Sequence, residues 1–342
     1  MKNLLFILVL AFSVFAFSAC DSKDKGSQQD TNSSAEARNE IQYGNSSAKA
    51  RKEVNVTPLE LIDKGDKFEI KHSLGTAELV KSPSKVVVFD LGTLDTFEEL
   101  GLSDKVVGTA VKTLPAYLQS FKSKQSVGSV NELDFEAINE LKPELIIISG
   151  RQSNFYDKLS QIAPTIFVGV NNADFLNSFE NKTLTIAKLY DKEDEARAKI
   201  EAIKADINSA KQGVDSSKTG LIILTNANRM SAFGPASRFG IIHDVLGIKP
   251  VDTNIKVGRH GNSINAEYIL EKNPDYLFVV DRNVIVGNQE KAQDTLNNPI
   301  IAKTKAAQTG KIIYLNPEYW YLSGGGLKSF KTMSEEVFNS IQ

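Results

Sequence analysis

The sequence predicts an α/β fold of two similar lobes with mainly parallel sheets, joined by one long α-helix. Three observations carry that prediction: an internal repeat, the continuous apolar run inside each copy, and a strongly helical stretch between the copies. The repeat aligns Glu136 to Arg151 with Glu267 to Arg282. Ile138 and Ile269, Glu140 and Glu271, Pro143 and Pro274, an acid (Glu144, Asp275), an apolar run and a final arginine recur at one offset. Each copy reads as a short helix, a proline turn and a buried strand with an arginine just past its end. Continuous apolar strands joined to helices belong to parallel sheets covered on both faces.

The remaining elements fall around these copies. Val86 to Phe89 reads as a strand, Leu94 to Leu100 as a helix stopped by Gly101, and Val106 to Gly108 as a further strand. From Asp191 to Gln212, charged residues alternate with Ala196, Ile200, Ile203 and Ile207, an apolar face at a spacing of about 3.6 residues. In the second half Leu221 to Leu224 matches the first strand and Phe239 to Leu246 the first helix. A long loop from Asn226 to Ser237 between them delivers Arg238. The expected organisation is a first lobe over 61–190, a linking helix over 191–213 and a second lobe over 214–342.

Ahead of the lobes, Lys2 and the apolar run Leu4 to Phe17, followed by Ser18, Ala19 and Cys20, read as a secretory signal over 1–20. Cys20 is the single cysteine of the chain, so no intrachain disulfide forms. Its position resembles a bacterial lipobox, which makes Cys20 the expected lipid attachment site, and Asp21 resembles an inner-membrane retention signal. Residues 21–60, rich in Ser, Asn, Gln and charged groups, read as a flexible tether. The expected location is the periplasm, held to the membrane by lipid alone. Forty basic and 42 acidic residues leave a net charge of -2 and no general attraction to nucleic acid.

The carboxyl ends of strands in open parallel sheets are where ligands sit. Arg151 and Arg282 occupy that place, one per lobe, and Arg238 lies in a loop shaped by Gly234 and Pro235. Arginines facing one another across a cleft imply a bulky anion between them, which planar guanidiniums recognise well. Tyr321, before the glycines 324–326, and His260, between Gly258 and Gly261, are donors suited to ferric iron. Ser263 is placed to cap the helix starting near Asn265, while His72 and His243 read as structural. GxSxG, HExxH, CxxC and P-loop signatures are missing, so an enzyme is not expected.

The segments FEAINELKPELIIISGRQS, SRFGIIHDVLGI, LEKNPDYLFVVDRNVIVGN and PEYWYLSGGGL resemble periplasmic siderophore-binding lipoproteins of ABC importers, most of all those that carry ferric enterobactin. The likeness runs from about residue 65 to the C-terminus. It implies two α/β lobes on one backbone helix and no intrinsic cofactor, with Fe(III) bound as a siderophore complex. It further implies that Arg151, Arg238 and Arg282 line the cleft and neutralise a ferric catecholate. His260 and Tyr321 would complete the iron's coordination when a linear bis-catechol, such as an enterobactin breakdown product, supplies only four oxygens. A tris-catecholate would rely on charge pairing. Arg259 stands where the family has a smaller polar residue. Docking to the inner-membrane permease would use one acid per lobe, Asp95 (with Glu98 and Glu99 nearby) and Asp244, on a monomer. A haem or cobalamin carrier, or less readily an extracytoplasmic enzyme, is the alternative.

Overall fold

A computed structural model describes residues 54–342. The signal segment, Cys20, Asp21 and most of the expected tether lie outside the described residues. The last residues of the tether span are already packed. Leu59 is buried, its N–H donates to Asn181 Oδ1 at 2.6 Å, and its carbonyl accepts from Asn181 Nδ2 at 3.0 Å.

The first element pairs were not anticipated from the sequence. Strands β1 (Glu60–Asp63), β2 (Lys67–His72) and β3 (Gly75–Val80) form an antiparallel meander. Alternation buries Phe68, Ile70 and His72 on one strand and Ala77 and Leu79 on the next, the period-2 pattern of a sheet with one face covered.

The first lobe then runs β4 (Val86–Val88), α1 (Leu91–Glu99), β5 (Val106–Thr109), β6 (Gln125–Ser126), α2 (Phe135–Glu140), β7 (Leu145–Ile148), α3 (Tyr156–Ser160) and β8 (Thr165–Phe167). Its five strands are all parallel, in the order β6-β5-β4-β7-β8. Helices α4 (Phe175–Lys188) and α5 (Glu193–Lys211) follow. Helix α5 buries Ala196, Ile200, Ile203 and Ile207, the face expected from their spacing.

The second lobe comprises β9 (Thr219–Asn226), β10 (Arg229–Phe233), α6 (Ile241–Asp244), β11 (Lys249–Pro250), β12 (Asn262–Ile264), α7 (Ala266–Lys272), β13 (Tyr276–Asp281), α8 (Arg282–Val286), α9 (Ala292–Leu296), α10 (Lys305–Gln308), β14 (Ile312–Leu315) and α11 (Leu327–Ile341). Its sheet order is β12-β10-β9-β13-β14, with β11 beside β9. Strands β9, β13 and β14 are parallel, whereas β10 runs antiparallel to both neighbours. The stretch expected as one long loop thus contains a strand. Ala227 takes a positive φ of 50° to turn the chain, and Met230, Ala232 and Phe233 then bury their side chains. Helix α6 covers Ile241–Asp244, the middle of the stretch expected as helix from Phe239 to Leu246.

The repeat is structural in detail. Asp134 and Asn265 cap α2 and α7, accepting from Ala137 and Tyr268 N–H; Ser263, expected as the second cap, lies in β12 instead. Lys142 and Asn273 both leave their helices at positive φ, 46° and 47°, just before the prolines. The acid after each proline ties down the neighbouring strand. Glu144 accepts from Ser84 N–H at 2.6 Å, and Asp275 from Thr219 N–H at 2.9 Å.

One feature of the chain path changes the expected partition. Helix α11, at the end of the span assigned to the second lobe, docks on the first. Phe330 packs at 5.0 Å from both Phe175 and Phe179 of α4. The Asp95 carboxylate on α1 accepts from Lys328 and Ser329 N–H at 2.9 and 2.7 Å, capping the first turn of α11. The backbones of Gly92 and Gly324–Gly326 approach so closely that a Cβ on either side would collide with main-chain atoms. Asp95 is fully buried, and burial pushes its carboxyl up to about 6 despite the two N–H groups. A carboxylate sealed between two helices has no surface to offer a permease, so Asp95 is not a docking residue.

Candidate functional site

The strand-end arginines of both lobes meet at one residue. Tyr321 lies on a π-helical turn, Glu318–Leu322, between β14 and α11. Arg151, three residues past β7, crosses from the first lobe; its two terminal nitrogens donate to the carbonyls of Tyr321 (2.6 Å) and Leu322 (2.9 Å). Arg238 donates to the same Tyr321 carbonyl at 3.1 Å. Arg282, the first residue of α8, donates through Nε to the Tyr321 hydroxyl at 2.8 Å and through Nη1 to Asn226 Oδ1. The three guanidinium carbons lie 5.9, 4.7 and 5.8 Å from the centre of the Tyr321 ring, within cation–π range.

Three like charges around one phenol shift its chemistry. Burial opposes the phenolate, but the Arg282 hydrogen bond and the charges of Arg282, Arg238 and Arg151 outweigh it and hold the Tyr321 hydroxyl below its usual pKa. The reciprocal strain falls on Arg238. Burial first, then repulsion from Arg151 and Arg259, lowers it to about 10. It remains charged at neutral pH, in a setting where an arriving anion relieves both repulsions.

The Tyr321 turn is gripped by the first lobe from its other side. Tyr117 stacks on Tyr319 with centroids 4.4 Å apart and donates to Ser323 Oγ at 2.6 Å, and Ala116 N–H donates to Glu318 Oε2 at 2.9 Å. Trp320 is buried beneath, its indole N–H on Glu336 Oε2 at 2.7 Å.

Other expected residues fare differently. His260 lies exposed in the loop before β12, and no contact joins it to Tyr321. That loop returns at Gly261 against the Ala232 carbonyl and the Phe233 ring. Phe233 meets Phe239 edge-on at 4.8 Å, and Phe239 underlies Arg238 at 4.8 Å, so the His260 loop borders the arginine cluster. His243 bonds the Ile248 carbonyl, and His72 is buried, which lowers it to about 4; both are structural. Asp244 is exposed, with its carboxylate accepting from Ala236 N–H at 2.6 Å in the loop that delivers Arg238. Among the described residues no group of three His, Cys, Asp or Glu converges as a metal centre. Concavities of about 500 and 600 Å³ elsewhere are lined by Asp252, Asn262 and Tyr268, and by Ser126, Glu132 and Asp134; neither contains an arginine. Asn226 escaped sequence reading, because its role depends on the unanticipated hairpin; the Asn-Ala-Asn run before Arg229 was the available turn signal.

Comparison with known proteins agrees with this architecture. The chain is similar to the petrobactin-binding protein YclQ of Bacillus subtilis, 44% identical over 285 residues that cover 82% of this chain and 90% of that one. The crystal structure of YclQ superposes with a TM-score of 0.79 over 81% of this chain and 99% of that chain. The iron uptake ABC transporter substrate-binding protein PiuA of Streptococcus pneumoniae follows, at 38% identity and TM-score 0.74 over 79% and 96% of the two chains. The periplasmic catecholate-siderophore binding protein VctP of Vibrio cholerae is 32% identical, with a TM-score of 0.72 over 79% and 98%. Residues 86–319 match the periplasmic binding protein family as a whole. The chain therefore belongs to the periplasmic binding protein family, and is a binding protein rather than an enzyme.

Proposed function

We propose that this chain is the substrate-binding lipoprotein of an ABC importer. It takes up a ferric catecholate siderophore, of the enterobactin type or its linear tetradentate breakdown products, between its two lobes and hands it to an inner-membrane permease. In this reading Cys20 carries the lipid anchor, the body works outside the cytoplasm as a monomer, and Fe(III) enters as part of the cargo. The observation that carries it is the convergence of Arg151, Arg238 and Arg282, from both lobes, on Tyr321. A ferric catecholate is large, planar in its parts and anionic, which suits fixed guanidinium forks. Relatives named for petrobactin, iron uptake and catecholate siderophores point the same way. A haem slot would be apolar, which three guanidiniums oppose.

Tyr321 and His260 are the proposed iron ligands for a tetradentate cargo. The lowered pKa of Tyr321 favours its phenolate, the form ferric iron takes. His260, on an exposed loop beside the cluster, would have to swing inward. Asp244 is the second-lobe docking acid in this reading.

A titration tests it. Ferric bis-catechol is added to the soluble body while the fluorescence of Trp320, the single tryptophan, and the visible charge-transfer bands are followed. Wild type should be quenched stoichiometrically. Tyr321→Phe and His260→Ala should each shift the bands and weaken binding by roughly tenfold or more. Unquenched wild type would remove the catecholate reading. Unchanged bands in both variants would remove direct ligation and leave charge pairing.

A further inference from the structure

Six arginines fall among the described residues, and one of them, Arg197 on α5, is occupied by an ion pair with Glu193 at 3.0 Å. Three more form the cluster at Tyr321. The last two, Arg229 and Arg259, are exposed, and neither makes an ion pair with a described carboxylate. Their places in the fold bring both to the border of that cluster. Arg229 pairs with Asn226 across the β9–β10 hairpin, and directly opposed residues project from the same sheet face. Asn226 uses its side chain to hold Arg282, and the next residue, Ala227, is pinned through its N–H to Asn283 Oδ1 at 2.6 Å. The hairpin tip that carries Arg229 is therefore fixed to the start of α8, where Arg282 resides. Arg259 precedes His260 in the loop that returns at Gly261 onto Phe233, one ring away from Phe239 and Arg238. Its charge is near enough to contribute to the lowered basicity of Arg238.

We propose that Arg229 and Arg259 form an outer cationic rim on the second lobe, which captures the iron complex by its charge before the inner arginines seat it and which favours trianionic over monoanionic complexes. The inference rests on the catecholate reading above. It follows from where the charges are. Long exposed arginines at a border do little for a seated ligand, but they raise the local concentration of an approaching anion and its association rate. A hexadentate tris-catecholate of Fe(III) carries three negative charges, a tetradentate bis-catecholate one. A rim that acts through charge separates them on approach, whereas Tyr321 and His260 separate them by open positions on the metal.

Stopped-flow quenching of Trp320 measures this, with the ferric complexes of a synthetic tris-catecholamide and a bis-catecholamide as probes. The double variant Arg229→Gln with Arg259→Gln should lower the association rate for the trianion about tenfold at low ionic strength, and for the monoanion about twofold or less. High salt should erase the difference, and Arg229→Lys with Arg259→Lys should restore the rate, because lysine keeps the charge without the shape. A Gln variant that associates like wild type overturns the rim. So does one that slows both complexes equally at every salt concentration, since that marks a structural effect. If wild type takes up neither complex, the catecholate reading itself falls and the rim with it; the wild-type trace alone distinguishes that outcome.

Discussion

In the first lobe the unit α2–β7 ends in Arg151, and in the second lobe the matching unit α7–β13 ends in Arg282. Caps, left-handed exits, prolines and strand-anchoring acids agree between them. What surrounds the two units differs. The first lobe is an all-parallel sheet whose helix α1 and loop at Tyr117 clasp the segment that bears Tyr321. The second lobe inserts the antiparallel β10, and through its turn and following loops it brings Asn226 to Arg282 and Arg238 to the Tyr321 carbonyl. One lobe contributes the frame that holds the tyrosine, the other most of the positive charge. Duplicated units keep their skeleton, and function diverges in the connections.

The largest effect expected from this contrast concerns the clasp. A methyl on Gly326 would lie 2.4 Å from both Asp95 Oδ2 and the Gly92 carbonyl, so Gly326→Ala should lose about 3 kcal/mol or more of stability in urea unfolding. Gly150→Ala, where nothing lies within 4 Å, should stay within about 0.5 kcal/mol. Equal losses would mean that the crossing is not tight. Next comes Arg151, the single first-lobe arginine in the cluster. Its replacement by alanine removes a two-pronged hold on the Tyr321 turn as well as a charge, and should weaken ferric catecholate binding about 100-fold in equilibrium titration. Arg238→Ala, with one bond to that turn, should cost about 30-fold. The reverse order would shift the weight to the second lobe.

Smaller effects probe the shared skeleton. Asp275→Ala should destabilise by about 2 kcal/mol and Glu144→Ala by about 1, because the bond accepted by Asp275 is partly buried and that accepted by Glu144 is exposed. Of the same size as the Glu144 effect is a pH effect at Asp95. Its folded pKa is raised to about 6 from 3.8, so the folded state holds the proton more tightly and this group's contribution declines as pH rises between those values. The stability of wild type relative to Asp95→Asn should therefore fall by about 1 kcal/mol from roughly pH 5 to roughly pH 7, read from parallel denaturation curves. A flat difference would mean that the helix N-terminus keeps Asp95 ionised throughout.

Much of this was legible in the chain because local rules sufficed. The repeat located both strand ends, and so Arg151 and Arg282, through hydrophobic runs and proline turns that need no tertiary information. The apolar face of α5 followed from spacing alone. The clasp was not legible. Asp95 looks like any acid on a helix until α11 returns to cover it, and only long-range packing reveals the cover. Strand β10 was hidden because Arg229 to Phe233 is too short and too mixed to declare itself, with Gly and Pro just behind it. The meander at 60–80 alternates weakly among charged residues, so its strands do not stand out from the start of the first lobe. Arg238 was found through its loop rather than its strand, and its pairing with Tyr321 depends on a fold-back of more than 80 residues, which no local pattern encodes.

The return of α11 also bears on how this molecule can be taken apart. Phe330 shields Phe175 and Phe179, and the residues from 54 onward belong to one compact unit rather than two. A gene fragment stopping after α5 would leave those rings facing water, and one starting at β9 would carry an amphipathic tail with no seat. Neither half is a self-sufficient module, so anyone cutting the protein for study, or fusing a reporter to its far end, works on the keystone of the opposite lobe.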